Sequence, residues 1–446
     1  MARFFRELRL LIVMDVRELL ATRAYWLMLL AVSALVGQAF LSAVEFYAEA
    51  SGAGGGPAAL SQGLSPLEGI LVPTFGAYDL AATLLFPFVV IRLIAHERQN
   101  GALWLQLQAP PIFGVTMASK GLALLLAWFV AMLPGCSALL LWHNIGGHLY
   151  PPETLGLLLG YVLRGVSAIG FCAAAAAFST SAASAAVIAL TFTIGTWALD
   201  YFAAARGGVL AVIATYTPLA ALRTFERGEI QLATIGILAV VGMSGLALAT
   251  TAAPSGRTLN IRMLRSTAAL GAAILLCVLA ARIRTSADVS ENRRNSFSRT
   301  DEVTLANIGA PLSVDVFLAA EDPRLNDLER GILAKLRRVV PHLTIRYPAA
   351  GRSGLFQSAG DHYGEVWYES GGRRLMSRST IEEVVLETVY QVTGATPPPP
   401  DNAPTYPGYP LRAHSTFAPW LFFLAWPLLI AGAWIGSRRQ RVQRVG

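Results

Sequence analysis

The chain has 446 residues, of which 54% are hydrophobic and 14% are charged. Soluble globular proteins carry about 25% charged residues, so the composition excludes an ordinary soluble protein and indicates an integral membrane protein. The net charge of +7 comes almost entirely from arginine, because Lys120 and Lys335 are the only lysines. We interpret this charge as a membrane topology signal, and we therefore expect contacts with membrane lipids and no binding of nucleic acid.

Residues 1–24 are predicted to form an amphipathic elbow helix that leads into the first membrane span. Phe4, Leu8, Leu11 and Leu19 fall near one helical face, while the charged residues fall mostly elsewhere. This pattern is typical of a helix that rests in the membrane interface. A solvated N-terminal extension is the alternative.

Several stretches are long and apolar enough to cross a bilayer, which takes about 20 residues. They lie near residues 25–46, 72–95, 121–142, 154–178, 184–203, 231–252, 267–283 and 416–436. The arginine clusters flank these stretches so that the positive-inside rule places both termini in the cytoplasm. We therefore expect a multi-pass protein of the bacterial cytoplasmic (inner) membrane, built as an all-α polytopic bundle of about eight transmembrane helices.

A charged segment follows the apolar stretch that contains Pro87. Charged or ionisable side chains are concentrated between Arg92 and Arg98, and Gly101 and Pro110 then break the helix. The sequence therefore predicts a short helix just outside the bilayer.

The segment from Pro87 to Lys120 resembles the membrane subunits of type-2 ABC exporters, most closely the permease of the gliding-motility type. That family's pattern is roughly P-x4-RL-x-A-x-E-x2-NGT-x-E-L-x4-P, followed later by GK. The chain supplies Pro87, Arg92, Leu93, Ala95, Glu97, Asn100, Gly101, Leu105, Pro110 and Lys120. It departs from the pattern at Ala102 and Trp104, which replace a Thr and the second acid, and at Ser119, where the family often has Gly.

The resemblance implies that this segment couples the membrane domain to a separate ABC ATPase (nucleotide-binding) subunit. The coupling residues it implies are Arg92, Glu97, Arg98, Asn100, Gly101, Pro110 and Lys120. An ordinary charged cytoplasmic loop is the alternative. Neither lysine lies in a Walker A frame, so we expect no catalytic residue, no metal and no directly bound cofactor, with ATP acting through the partner subunit. The resemblance also implies a homodimer or heterodimer of permeases.

Arg164 lies near the middle of a predicted span, where a charged side chain costs about 2.5–3.5 kcal/mol unless it is paired or hydrated. Asp79 and Asp200 are its candidate partners. These residues either line a transport path or form a buried structural pair, and the sequence favours neither reading. The mixed stretch 200–231 is predicted to form a re-entrant hairpin or an interfacial helix, provided that protein surrounds its irregular backbone.

Two short motifs are less specific. Gly156 and Gly160 form a G-x-x-x-G motif, which permits a close helix contact or dimerisation but is at least as easily explained by chance in a Gly-rich span. His143 and His148 have no third ligand nearby in sequence, so a plain loop is favoured over a metal site.

Beyond Arg284 the composition becomes polar, and the pattern predicts an α/β thioredoxin-like extracytoplasmic domain held by a membrane span at each end. The elements run strand 312–318, helix 324–340, strand 343–347, strand 363–369, strand 373–376 and helix 380–392. Redox chemistry is excluded because the domain contains no cysteine.

This domain resembles the auxiliary protein that accompanies gliding-type permeases. The opening, with Asp288, Ser296, Ser298 and Thr300, is similar to that family's D-x-T-x5-SLS-x2-T pattern. Later positions that fit the family are His362, Gly364, Glu382 and Glu383. The resemblance implies that the chain is a fusion of a permease with a shortened auxiliary subunit.

The predicted organisation and function follow from these observations. The domains are the elbow helix 1–24, the permease transmembrane domain 25–256, a seventh transmembrane region 257–284, the auxiliary-like domain 285–394, a Pro-rich linker 395–415, and the last transmembrane helix with a basic cytoplasmic tail 416–446. The resemblance implies a permease subunit of an ATP-driven exporter, with the auxiliary domain periplasmic or extracellular. A membrane-anchored envelope scaffold or sensor without transport activity is the alternative.

Overall fold

The computed structural model describes most of the chain. The chain divides into two compact units. The described residues are 2–52, 65–99, 113–179, 181–206, 213–252, 259–283, 285–319, 322–348, 362–399, 406–412 and 414–445. The first unit comprises 1–195, 221–287 and 407–446, and the second comprises 196–220 and 288–406. We call the first the membrane unit and the second the α/β unit.

Long helices make up the membrane unit. They are α1 (Ala2–Ala21), α2 (Arg23–Gly52), a π-helical turn (Leu67–Leu71) continuing into α3 (Val72–Gln99), α4 (Phe113–Asn144), α5 (Pro151–Phe178) and α6 (Ala182–Arg206), whose last turns belong to the α/β unit. The short α7 (Pro218–Glu226) and β1 (Glu229–Gln231) precede α8 (Leu232–Ala252), α9 (Leu259–Ala281) and β2 (Ser286–Asp288). The chain ends with α14 (Ala418–Trp420), a π-helical turn (Leu421–Ala425) and α15 (Trp426–Val445).

Within the described residues, 8 helical stretches are long and apolar enough to span a membrane. They are Arg23–Ser51, Leu67–Ile94, Val115–Asn144, Pro151–Phe178, Ala182–Asp200, Leu232–Thr251, Asn260–Ala281 and Ala418–Arg438. The prediction of a polytopic helical membrane bundle is therefore confirmed.

Several spans extend further than the apolar stretches that predicted them. The seventh starts at Asn260 rather than near residue 267, and its first turns include Arg262 and Arg265. Arginine can be accommodated at a helix end because its long side chain reaches the interface while its methylene groups stay in apolar surroundings. These helices therefore extend beyond the residues that the apolar pattern alone assigns to the membrane spans.

Aromatic side chains fill the centre of the membrane unit. Trp128 of α4 is fully buried and packs edge-on against Tyr78 and Phe86 of α3, with ring centroids 5.5 and 5.0 Å apart. Its indole Nε1 donates a hydrogen bond of 3.0 Å to the carbonyl oxygen of Tyr161. Because Trp128 contacts α3 through its ring and α5 through its N–H group, it joins α4 to the two helices that carry the buried Asp79 and Arg164.

The helices α5 and α8 cross with their backbones in contact. A Cβ atom built on Gly170 would overlap the carbonyl group of Gly242, and one built on Gly245 would overlap the backbone of Gly170. Any larger residue at Gly170 would separate the two helices, because backbone atoms cannot move aside as a flexible side chain can.

The α/β unit contains a mixed four-stranded sheet. Its elements are a 3₁₀ turn (Glu291–Arg293), α10 (Arg299–Ala306), β3 (Leu312–Val316), α11 (Pro323–Leu328), a π-helical turn (Glu329–Leu333), α12 (Ala334–Val339), β4 (Leu343–Arg346), β5 (Val366–Ser370), β6 (Arg373–Ser377) and α13 (Glu382–Thr393). The strand order is β4-β3-β5-β6, in which β3 and β4 are parallel and the other neighbours are antiparallel.

Alternating burial explains how the two central strands, β3 and β5, present one face to the core. Leu312, Val314 and Val316 of β3 are buried, and the residues between them are half-buried. Val385 and Val389 of α13 are buried in the same apolar cluster. Each strand and helix predicted in this region is present within a few residues of its expected position, because the period-2 and period-3.6 patterns are local properties of the sequence.

Candidate functional site

Among its described residues, the membrane unit brings together two groups of polar side chains, all of them buried except Glu226, which is half-buried. We call Asp15, Ser119 and Lys120 the Asp15 latch. We call Asp79, Tyr161, Arg164 and Glu226 the Arg164 cluster.

The Asp15 latch joins α1 to the first turns of α4. Lys120 Nζ lies 2.9 Å from Asp15 Oδ1, and the exposed fractions of the two side chains are 1% and 2%. The hydroxyl group of Ser119 donates a hydrogen bond of 2.8 Å to Asp15 Oδ2. Both carboxylate oxygens therefore accept a hydrogen bond, which lowers the cost of burying the charge.

Helical spacing places Asp15 on the face of α1 that packs against the bundle. Leu8, Leu11, Asp15 and Leu19 follow one another at intervals of three or four residues, and Asp15 and Leu19 are the buried members. The apolar spacing predicted this face but gave no role to its acidic residue. An acid in the middle of an apolar helical face is a signal that could have identified the latch.

A second apolar strip lies on the exposed side of α1. Leu10, Val13 and Met14 are exposed there, and Arg6 and Arg17 lie exposed beside them. The helix therefore packs inward through the face that the sequence predicted for the membrane interface and presents a different apolar strip outward.

The structure places the predicted coupling residues around two helix ends. Arg92 is exposed on α3, and Lys120 is buried on α4. Glu97 and Arg98 belong to α3, which ends at Gln99, and their side chains are not described. Asn100, Gly101 and Pro110 lie outside the described residues. Because Lys120 is buried against Asp15, it links the start of α4 to α1.

The Arg164 cluster pairs charges between two spans. Arg164 Nε on α5 lies 3.4 Å from Asp79 Oδ1 on α3, and the exposed fractions of the side chains are 6% and 7%. Neither of these two atoms has a hydrogen-bond partner among the described residues. The ion pair thus neutralises both charges within the apolar bundle but leaves hydrogen-bonding capacity unused.

Asp79, and not Asp200, is the acid within ion-pair distance of Arg164 among the described residues. Asp200 is half-buried on α6 and belongs to the α/β unit. Since Asp79 and Arg164 are both buried within the chain, this conformation favours a buried pair over the lining of an open path.

Tyr161 extends the cluster from α5 to α7. Its hydroxyl group donates a hydrogen bond of 2.8 Å to Glu226 Oε1 at the end of α7. A Cβ atom built on Gly160 would overlap the side chain of Phe225, so the glycine lets α7 approach α5 closely. Gly160 therefore serves a helix contact within the chain.

The residues that resemble the auxiliary family have structural roles in the α/β unit. Asp288 accepts hydrogen bonds from the hydroxyl groups of Ser290 and Ser296, at 2.5 and 2.6 Å. Ser298 caps α10, because its hydroxyl group accepts a hydrogen bond of 3.1 Å from the backbone N–H of Asp301. This acid and these serines therefore fix the entry into the domain.

The later motif forms a turn with an acidic centre. Gly364 has φ +86°, a conformation that favours glycine. Glu365 accepts hydrogen bonds from Arg378 at 2.9 Å and from the Trp367 indole N–H at 3.1 Å, and it lies 3.0 Å from His362 Nδ1. The hydrogen bond from Arg378 is the main cause that lowers the pKa of the Glu365 carboxyl group. All of these contacts stabilise the turn at residues 362–364, which leads into β5.

Comparisons with known proteins identify no relative. No family model matches the chain, no curated protein matches it, and no solved structure matches it. Among the residues that the structure describes, no group of three or more His, Cys, Asp or Glu side chains is arranged to hold a metal ion.

Proposed function

We propose that the chain is the membrane-spanning permease subunit of an ATP-driven ABC exporter of the type-2 class. It would couple ATP hydrolysis by a separate ATPase subunit to substrate export, as a homodimer or heterodimer of permeases. The observation that carries the proposal is the Asp15 latch. It ties the N-terminal amphipathic helix to α4 just after the segment 100–112, which carries four residues of the exporter pattern.

The geometry of the helix ends supports a coupling role. Helix α3 continues to Gln99, and α4 starts at Phe113, so the segment between them is attached to two long spans. A displacement of this segment would act on the first turns of α4, and the latch would transmit it to α1. Rigid helices with buried polar links are suited to such transmission.

The charge distribution supports an orientation with both termini in the cytoplasm of a bacterial cell. Arginines lie along α1, near the end of α3, around the start of α9 and near the end of α15. These positions share one side of the membrane when the spans alternate in direction. The α/β unit would then lie on the periplasmic or extracellular side.

The α/β unit is proposed to be a thioredoxin-like auxiliary domain. Its strand order and directions support this proposal, because a parallel βαβ pair is followed by two antiparallel strands and a helix. The domain would receive cargo or bind an envelope partner, since it lacks the cysteines needed for redox chemistry.

Reconstitution with an ABC ATPase subunit from the same organism tests the function. We expect the two proteins to copurify, and we expect the Glu97→Ala variant to uncouple ATP turnover from the permease. Glu68→Ala is the matched control, because Glu68 is an exposed glutamate at the opposite end of the same continuous helix. If no complex forms, or if both variants leave ATP turnover unchanged, the exporter proposal fails and the scaffold alternative is favoured.

A further inference from the structure

Helix α1 exposes one continuous face, which we call the outward strip. Its members are Arg6, Arg9, Leu10, Val13, Met14 and Arg17, all of which are exposed. Intervals of three and four residues place them on one side of the helix, opposite the side that buries Asp15 and Leu19. At a rise of about 1.5 Å per residue, the strip is about 16 Å long. Its middle is apolar, and arginines stand at both ends.

The end of α1 lies where two membrane spans terminate. The span of α2 starts at Arg23, two residues after the end of α1, and the span of α15 ends at Arg438. The hydroxyl group of Ser437 donates a hydrogen bond of 3.4 Å to the carbonyl oxygen of Leu20, so the end of α15 contacts the end of α1. Two spans that terminate beside the same residue place that residue at the level of the lipid headgroups.

The Asp15 latch holds the middle of α1 near the same membrane boundary. Lys120, which pairs with Asp15, is five residues after Val115, where the span of α4 starts. Five residues of helix correspond to about 7.5 Å. When the spans alternate in direction, the starts of the first and third spans and the end of the eighth lie on one side of the membrane. Helix α1 is therefore fixed to the bundle along this boundary, and its outward strip faces away from the bundle.

Among the described side chains, the exposed charges of this surface are all positive. The outward strip carries three arginines and no acid. Two further exposed arginines, Arg23 and Arg438, adjoin the contact between Ser437 and Leu20. The guanidinium carbon of Arg438 lies 5.1 Å from the centre of the Trp434 ring, and tryptophan is enriched at membrane interfaces. The surface therefore complements a layer of negative charge.

The size and composition of the strip fit a lipid layer better than a protein. A helix is about 10 Å wide, so the strip covers about 160 Å², whereas a stable protein interface buries about 800 Å² on each partner. Leu10, Val13 and Met14 can enter the upper part of the acyl layer. The arginines can then reach back to the headgroups, where guanidinium groups form paired hydrogen bonds with phosphate.

We propose that the outward strip, together with Arg23 and Arg438, binds the headgroups of anionic phospholipids. The guanidinium groups pair with the lipid phosphates, and the apolar side chains anchor α1 in the surface of the membrane. A zwitterionic lipid binds more weakly, because its own cationic group cancels the charge that attracts the arginines. This surface selects a class of lipid whether or not the chain is an exporter subunit.

Fluorescence quenching in lipid nanodiscs tests this surface in the full chain. Bimane is attached to Val13→Cys in a background that lacks Cys136, Cys172 and Cys277. The nanodiscs contain equal amounts of phosphatidylglycerol, which is anionic, and phosphatidylcholine, which is zwitterionic, and only one of the two carries brominated acyl chains. We expect brominated phosphatidylglycerol to quench the Val13→Cys label more strongly than brominated phosphatidylcholine. Leu140→Cys is the matched control and should be quenched equally by both, because Leu140 is 67% exposed toward the opposite end of α4 from the latch.

Equal quenching of the Val13→Cys label by the two lipids would remove the preference for anionic headgroups and would overturn the proposal. A label that neither lipid quenches would overturn it too. Aqueous iodide then separates the two remaining cases. A label that iodide quenches faces water, and a label that iodide does not reach is covered by protein.

Removal of arginines from the strip tests the electrostatic part of the proposal. One arginine near an anionic membrane surface contributes about a fivefold preference. Arg6→Gln combined with Arg17→Gln should therefore lower the local enrichment of phosphatidylglycerol by up to about fivefold for each arginine. The ratio of quenching by the two lipids at Val13→Cys should approach the ratio at Leu140→Cys.

A control with the same loss of charge keeps this result specific. Arg299→Gln combined with Arg373→Gln removes two exposed arginines of the α/β unit and should leave the ratio at Val13→Cys unchanged. An equal fall in both double variants, or no fall in either, would contradict the proposal. The comparison of the two lipids at Val13→Cys needs no arginine substitution, so it decides the matter even if a double variant does not fold.

Discussion

Lys120 of α4 and Asp15 of α1 form an ion pair of 2.9 Å from which solvent is almost fully excluded. The two residues are 105 positions apart in the chain. They connect the first helix to the third long span. A buried pair of this kind adds little net stability when both partners are present, but it is expensive to break from one side.

Removal of one partner of this pair should therefore be far more damaging than removal of both. Lys120→Met leaves the Asp15 charge buried and should lower the free energy of unfolding by about 3–5 kcal/mol. The double variant Asp15→Leu with Lys120→Met should recover most of that loss. Thermal unfolding of the detergent-solubilised protein measures the coupling. Additive effects of the two substitutions would contradict a direct interaction.

Ser119 provides a milder test of the same latch. Ser119→Ala removes the hydrogen bond to Asp15 Oδ2 and keeps the ion pair, so we expect a loss of about 1 kcal/mol of unfolding free energy. The same unfolding assay measures it. A loss as large as that of Lys120→Met would show that the hydroxyl group, and not the ammonium group, carries the latch.

The contact between α5 and α8 should tolerate no side chain at Gly170. Gly170→Ala forces a methyl group against the backbone of Gly242, and we expect a loss of about 1–3 kcal/mol from overpacking. Gly195→Ala on α6 is the matched control, because a Cβ atom there has nothing within 4 Å. The control should gain up to about 1 kcal/mol from helix propensity. Equal effects in a thermal unfolding assay would contradict the close crossing.

The α/β unit should lose local stability in acid through Asp322. The side-chain hydrogen bond from Arg324 is the main cause that lowers the pKa of Asp322 to about 2. Because the folded pKa is depressed, the stabilisation is complete above the ordinary Asp value of about 3.9 and is lost as the pH falls through about 2. Hydrogen exchange of α11, corrected for intrinsic rates, measures the change.

Two variants identify the source of this acid sensitivity. Asp322→Asn should remove it. Tyr363→Phe, which removes a hydrogen bond of 2.9 Å to Asp322 but keeps those from Arg324, should retain most of it. An acid transition that is unchanged in Asp322→Asn would assign the effect to another group.

Cysteine labelling can establish the sidedness of the membrane unit. In a background that lacks Cys136, Cys172 and Cys277, we expect Ala102→Cys to react with an impermeant reagent only after the cells are opened. Asn144→Cys, exposed at the end of α4, should react in intact cells. The reverse pattern would place the predicted coupling segment on the outer side and would contradict the exporter function.

The sequence predicted the local features of the fold and few of its long-range contacts. The spans and strands were predictable because apolar length and alternation are properties of neighbouring residues. Asp79 was one of two candidates for pairing with Arg164, and spacing alone could not choose between them. The partner of Asp15 was not predictable, because helix pairing across more than a hundred residues is set by packing. The same limit applies to Tyr161 and Glu226.

The glycine contact between α5 and α8 also restricts where a molecule could move through the bundle. With backbone touching backbone at Gly170 and Gly242, no gap remains at that crossing for water, a lipid tail or cargo. We expect the two helices to move together as a rigid body in any conformational change. A conduit, if it opens, must therefore form along a different side of α5.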